Sequence, residues 1–199
     1  VGSILDKNII NYLTFKKNNN KKNFSILVLG GSQGAEVFGR VVPPVIKMIK
    51  EEGYEIEINQ QSTKNRKNFI EEYYKKNKIK NYIFEFENNI FKLMMSSDLA
   101  ITRGGASSTA ELVNTFTPFI TVPLPHSVDN HQYLNAEFYH KKNYCWILEQ
   151  KNFSEKNLYN LIKEIIKNKN KLEFIQENMR KNIKNNVYSV IENEVKKII

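Results

Sequence analysis

Between residues 24 and 148 the chain alternates six short apolar runs with stretches of helical pattern, and this alternation restricts the fold more than any other feature. The runs fall at 25–29, 54–59, 82–86, 99–102, 118–122 and 145–148. Helical patterns cover about 35–50, 64–76, 90–96, 107–114 and 131–142, with two more near 154–167 and 170–196. Strands joined through helices rather than tight turns predict an α/β fold, a doubly wound parallel six-stranded sheet. Ser154 stands where a serine oxygen would cap the helix that follows. Residues 1–23 end in a Lys/Asn tract and read as a polar lead-in, which leaves 24–199 as the folded unit. The chain opens Val1-Gly2-Ser3 without a methionine, the expected look of a piece of something longer.

Composition removes several function classes. The 199 residues are 41% hydrophobic, enough to close a core without disulfides or metals. Cys145 is the only cysteine, so an intrachain disulfide, a cysteine zinc site and a Cys-x-x-Cys redox pair are all excluded, which favours a reducing, cytoplasmic setting. No apolar run nears the roughly 20 residues of a membrane-spanning helix, so a soluble or at most peripheral protein is expected. The net charge is +9, but the lysines are diluted among asparagines, as in Asn168-Lys169-Asn170-Lys171. Solvated faces account for that pattern better than a nucleic-acid partner, with attraction to anionic lipid or a protein as the alternative.

Ligands of open parallel sheets bind beyond the C-terminal strand ends, and three of the loops there are unusual. Gly30-Gly31-Ser32-Gln33-Gly34-Ala35 lets the backbone turn sharply before a helix N-terminus whose N–H groups are free, with Ser32 adding a hydroxyl. It suits an anion, although a tight strand-to-helix turn is the alternative. Its spacing is neither G-x-G-x-x-G nor the P-loop pattern. Arg103-Gly104-Gly105-Ala106-Ser107-Ser108 forms a second phosphate-sized seat, and Glu111, about a turn into the next helix, is a helix-start acid or a ligand for a ribose diol. The third loop runs from Pro123 through Asp129, His131 and Gln132 to Asn135-Ala136, and it offers donors and acceptors suited to sugar hydroxyls. Taken alone, His131 is better read as a satisfied helix-cap histidine; His126 is a weaker candidate and His140 a solvated one. The three histidines have no metal-ligand spacing and no Asp-x-Asp pair exists, so neither a metal nor another cofactor is expected.

On these loops the chain resembles, from about Phe24 to its end, the C-terminal half of the bacterial lipid II-forming N-acetylglucosamine transferases of the MurG family. The pattern Gly104-Gly105 through Glu111, Pro118, Pro123, His131-Gln132 and Asn135-Ala136 is similar to that of many two-lobed GT-B nucleotide-sugar transferases. Leu29 through Ala35 is the narrower signal for the cell-wall family. The resemblance implies a Rossmann-like lobe that holds UDP-N-acetylglucosamine. Ser32, Gly31, Gln33 and Gly34 would meet the diphosphate, and Arg103, Gly105, Ala106, Ser107 and Ser108 would close on it. Glu111 would bind the ribose, Phe86 and Glu87 would flank the uracil, and His131 and Gln132 would read the sugar. Val1-Gly2 matches the start of the family's linker motif, but Asp6 stands where the family has a nucleotide-contacting arginine.

No catalytic residue is expected in this half. The resemblance implies that general base, membrane-docking patch and acceptor site belong to an N-terminal lobe that the sequence does not contain. That lobe, in cis or in trans, and the lipid-linked acceptor on the cytoplasmic face of the inner membrane are the expected partners, and nucleic acid is not. The donor subunit of a split transferase, or a non-catalytic UDP-sugar sensor, are the alternatives.

Overall fold

The structure is a computed structural model that describes residues 23–182. The element order is β1 (Phe24–Leu29), α1 (Gly31–Glu51), β2 (Ile56–Gln61), α2 (Lys64–Lys76), β3 (Lys80–Phe84), α3 (Ile90–Ser96), β4 (Leu99–Thr102) and α4 (Ala106–Asn114). Then follow β5 (Phe119–Thr121), a 3-10 turn (Val128–Asn130), α5 (His131–Lys141), β6 (Cys145–Ile147), a 3-10 turn (Gln150–Asn152), α6 (Glu155–Lys167) and α7 (Lys169–Asn182). The six strands are all parallel in the order β3-β2-β1-β4-β5-β6. The expected doubly wound sheet is therefore present. The lead-in up to residue 22 and the last stretch of the second C-terminal helix, from 183, lie outside the described residues.

β1 shows why its apolar run is unbroken rather than alternating. Ile26 and Val28 point into one core, with Phe38, Val42, Val45 and Ile46 of α1 and Leu158 and Ile162 of α6. Leu27 and Leu29 point to the other face, with Met94, Leu112, Ile175 and Met179. A central parallel strand covered on both faces needs apolar side chains in both directions of the pleat.

α1 runs through Pro43 and Pro44, which removes two N–H donors from its hydrogen-bond ladder. Val42, Val45, Ile46 and Ile49, all fully buried, keep it helical by packing. At its start Phe38 meets Phe153 edge-on at 5.4 Å, which fixes α1 against the turn before α6. Ser154 caps α6 as expected, its Oγ accepting from Asn157 N–H at 3.3 Å.

Two strands sit two residues away from where the apolar runs put them. β2 ends at Gln61 because Val28 and Gln60 face each other across the sheet, and Gln60 is fully buried with its Oε1 accepting from the Tyr74 hydroxyl at 2.7 Å. β3 ends at Phe84, opposite Gln61, so Phe86 falls in the following loop. Hydrophobicity alone misplaces both ends, since the pairing partner, not the side-chain type, decides where a ladder stops.

Phe38→Ala should destabilise the fold by about 3–5 kcal/mol, because it empties a fully buried site shared by α1 and the turn before α6. Urea unfolding followed by far-UV circular dichroism measures this.

Candidate functional site

The first glycine loop closes in two residues. Gly30 is right-handed (φ −91°, ψ −23°) and Gly31 has φ +57°, a succession that turns consecutive N–H groups toward one point and suits an anion. A Cβ at Gly31 would meet nothing within 4 Å, so glycine is required there by backbone angle and not by space. The helix starts at Gly31, four residues earlier than the pattern suggested, and the backbone of Ser32, Gln33 and Gly34 forms its first turn. N–H groups there have no partner inside the helix. The side chains of residues 32–35 lie outside the description.

The second loop leaves β4, the neighbour of β1 in the sheet. At Gly104 a Cβ would lie 2.3 Å from the carbonyl oxygen of Gln132 and 2.9 Å from its carbon, so only glycine lets α5 approach this closely. Asn135 locks the contact: its Nδ2 donates to Gly104 O at 2.9 Å and to Thr109 Oγ1 at 2.8 Å. Thr109 in turn donates to Gly105 O at 2.8 Å. Gln132 Oε1 accepts from Leu124 N–H at 3.0 Å, which holds the proline-rich third loop to the same helix.

Between these loops lies a cleft of about 440 Å³, a size that admits a small organic ligand. Its walls bring together Gly31, Arg103, Gly105, Ser108, Glu111 and Gln132, and on the far side Phe86 and Glu87. Ala106 and Ser107 stand exposed on the first turn of α4 outside the lining. His131 is exposed and also outside it, with Nδ1 2.7 Å from Val128 O. Its ring thus serves its own helix start. Gln61, Leu124 and Met94 line the cleft as well, and sequence reasoning missed all three. Gln61 was hidden in the polar Asn59-Gln60-Gln61 tail; a polar residue closing a parallel strand was the signal that could have found it.

The electrostatics are uneven. Arg103 is 8% exposed; its Nη1 donates to Val122 O at 3.0 Å and to Gln150 Oε1 at 2.8 Å, and the guanidinium lies 5.0 Å from the Phe38 ring centre. Among the described residues its buried Nε and Nη2 meet no hydrogen-bond partner, and no carboxylate pairs with it. Burial draws its pKa below the ordinary range. Nε and Nη2 are both closed off from solvent, so what Arg103 offers the neighbouring cleft is a buried positive charge. Glu111 is half-buried, and loss of solvent pushes its carboxyl above the usual carboxylate range. Glu87 goes the other way, lowered by the Asn89 N–H at 2.8 Å and by the Tyr82 hydroxyl at 2.8 Å. The Phe86 side chain is 78% exposed at the rim. Among the described residues no group of three or more His, Cys, Asp or Glu side chains is assembled.

Residues 25–193 match the family described as the glycosyltransferase family 28 C-terminal domain. The chain belongs to that family. Two relatives bear the name UDP-N-acetylglucosamine--N-acetylmuramyl-(pentapeptide) pyrophosphoryl-undecaprenol N-acetylglucosamine transferase. The one from Pelagibacter ubique is 36% identical over 200 residues, 96% of this chain and 55% of the relative. The one from Rickettsia canadensis is 34% identical over 200 residues, 100% of this chain and 56% of the relative. This family 28 domain thus spans about half the length of the curated relatives it matches. Among solved structures, Acinetobacter baumannii MurG superposes with a TM-score of 0.78 at 24% identity, over 89% of this chain and 50% of that one. WaaG, a glycosyltransferase involved in lipopolysaccharide biosynthesis, gives 0.60 at 15% identity, over 90% and 47%. At those identities both likenesses speak to the fold of the family 28 domain.

Two outcomes follow from the geometry. Gly104→Ala should cost about 1–3 kcal/mol through overpacking against Gln132, visible as a lower urea midpoint at unchanged slope. For Glu111 the folded-state pKa lies above the unfolded one, so the folded protein binds more protons and stability falls as pH rises through that window. Glu111→Gln should therefore melt higher than the parent at neutral pH, and the gap should close as pH drops below the ordinary carboxylate range.

Proposed function

We propose that this chain is the donor-binding half of a transferase that moves N-acetylglucosamine from UDP-N-acetylglucosamine to a lipid-linked N-acetylmuramoyl-peptide acceptor. One observation carries the reading: both glycine loops leave adjacent strands, β1 and β4, where the strand order reverses, and face each other across one cleft that Arg103, Ser108 and Glu111 help to line. Nucleotides bind at such switch points in open parallel sheets. Membership of family 28 and the names of the relatives support the same choice of ligand.

In this reading the diphosphate lies between the N-termini of α1 and α4. Ser32 and the N–H groups of Gln33 and Gly34 contact it on one side, with the turn at Gly31 bringing them to it, and Gly105, Ala106, Ser107 and Ser108 on the other. Glu111 accepts from the ribose hydroxyls, Phe86 and Glu87 border the uracil, and Gln132 with His131 reads the sugar. The acceptor hydroxyl attacks the anomeric carbon as its bond to the diphosphate oxygen breaks, which inverts that centre. The proton goes to a base outside this chain, and UDP leaves. Negative charge grows on the departing diphosphate, where fixed helix N–H groups and serine hydroxyls lower its energy without having to reorganise. The acceptor lobe is supplied by a further segment, in the same polypeptide or another. The described residues hold no helix long and apolar enough to cross a membrane. Work on a lipid-linked acceptor at the cytoplasmic membrane face would then be peripheral.

Calorimetry on the 199-residue chain in EDTA, with UDP-N-acetylglucosamine, UDP, UDP-glucose and ADP, tests the reading. Uridine ligands should bind in preference to ADP, with a gain from the N-acetyl sugar; equal or absent binding across the set would retire it. Glu111→Ala should weaken UDP by about 1–3 kcal/mol. Gln132→Ala should weaken UDP-N-acetylglucosamine more than UDP, and equal losses for both would remove Gln132 from the sugar site.

A further inference from the structure

Gln61 is the last residue of β2, opposite Phe84 at the end of β3, and it lines the cleft between the first glycine loop and the β3–α3 loop. Both ends of its amide are in use. Oε1 accepts from Gly31 N–H at 3.1 Å, and Nε2 donates to Glu85 O at 3.2 Å. We infer that Gln61 is a positioning residue that ties the diphosphate seat to the base wall, so that the uracil and the diphosphate of one nucleotide are read as a unit. The inference rests on the donor-site reading above and adds to it a residue that touches neither half of the ligand.

Three physical points carry it. Gly31 has φ +57° and opens a helix, so no bond within the helix fixes its N–H. The Gln61 oxygen fixes it, which sets the plane of the peptide that precedes the turn and aims the N–H groups that follow. On the other side, the carbonyl of Glu85 shares its peptide plane with the nitrogen of Phe86, so a donor to that carbonyl orients the segment Phe86-Glu87. Last, the side-chain amide accepts at one end and donates at the other, whereas an ionised Glu accepts only, Lys donates only, and Leu does neither. Without the strut, each loop could settle independently of what the other had bound.

The test uses the full chain with two variants and two readouts. The first is amide hydrogen exchange at Gly31 in the ligand-free protein. Gln61→Leu should exchange there about tenfold faster than the parent, whereas Gln61→Glu keeps the acceptor and should stay protected. The second readout is the affinity ratio of UDP to CDP, in which an added negative charge cancels. That ratio should fall about fivefold in both variants, because both lose the donor to Glu85 O. UDP over uridine should also fall about fivefold in Gln61→Leu. A residue that merely supported the fold would weaken UDP, CDP and uridine by one common factor; that result, or unchanged ratios in Gln61→Leu, overturns the inference while leaving the donor site standing. A parent chain that binds no uridine nucleotide overturns both together.

Discussion

The pairing of β1 with β4, in register from Ile26 opposite Leu99 to Leu29 opposite Thr102, governs where everything else in the site can be. Because both strands are parallel, both deliver their following loops to the same edge of the sheet, and because they are neighbours those loops emerge side by side. β1 can occupy this central position only because Ile26 and Val28 satisfy one layer of helices while Leu27 and Leu29 satisfy the other. Loss of that two-sided burial would separate the glycine loops before it altered either one.

The cleft is held open by close contacts outside it. Gly104 lets the backbone of Gln132 sit where a side chain would be, and Asn135 ties α5 to the carbonyl beside it. Arg103 spans the same region from beneath, reaching Val122, Gln150 and the face of Phe38. The loop from β4 is thus fastened to α1, α5 and the turn after β6. A buried guanidinium with no carboxylate beside it among the described residues and a half-buried Glu111 both work against stability.

Much of this was legible in the chain. Alternating apolar runs and helical patterns specify a parallel sheet, and β4, α2 and α3 fall where the periodicity places them. Of the site, Gly31, Phe86, Glu87, Arg103, Gly105, Ser108, Glu111 and Gln132 do line one cleft. Less was legible at the ends of β2 and β3, where polar Gln60 and Gln61 continue a ladder that hydrophobicity would have stopped. His131 is a different case, and its contact with Val128 O fits the helix-cap reading of the sequence. It stands beside Gln132 in sequence, yet consecutive helical residues point about 100° apart, and its ring turns to Val128 rather than into the cleft.

By itself the sequence determined the class of fold and the two glycine loops, because hydrophobic period and the absence of a Cβ are local properties that each segment carries wherever it goes. Tertiary structure decided which strands are neighbours, that Gly104 is needed for space and Gly31 for backbone angle, and that Gln61 bridges the loop at Gly31 to the loop at Glu85. Those are properties of pairs. A donor has a direction only once its acceptor is in place, and a buried charge lacks a counter-ion only once every neighbour is known.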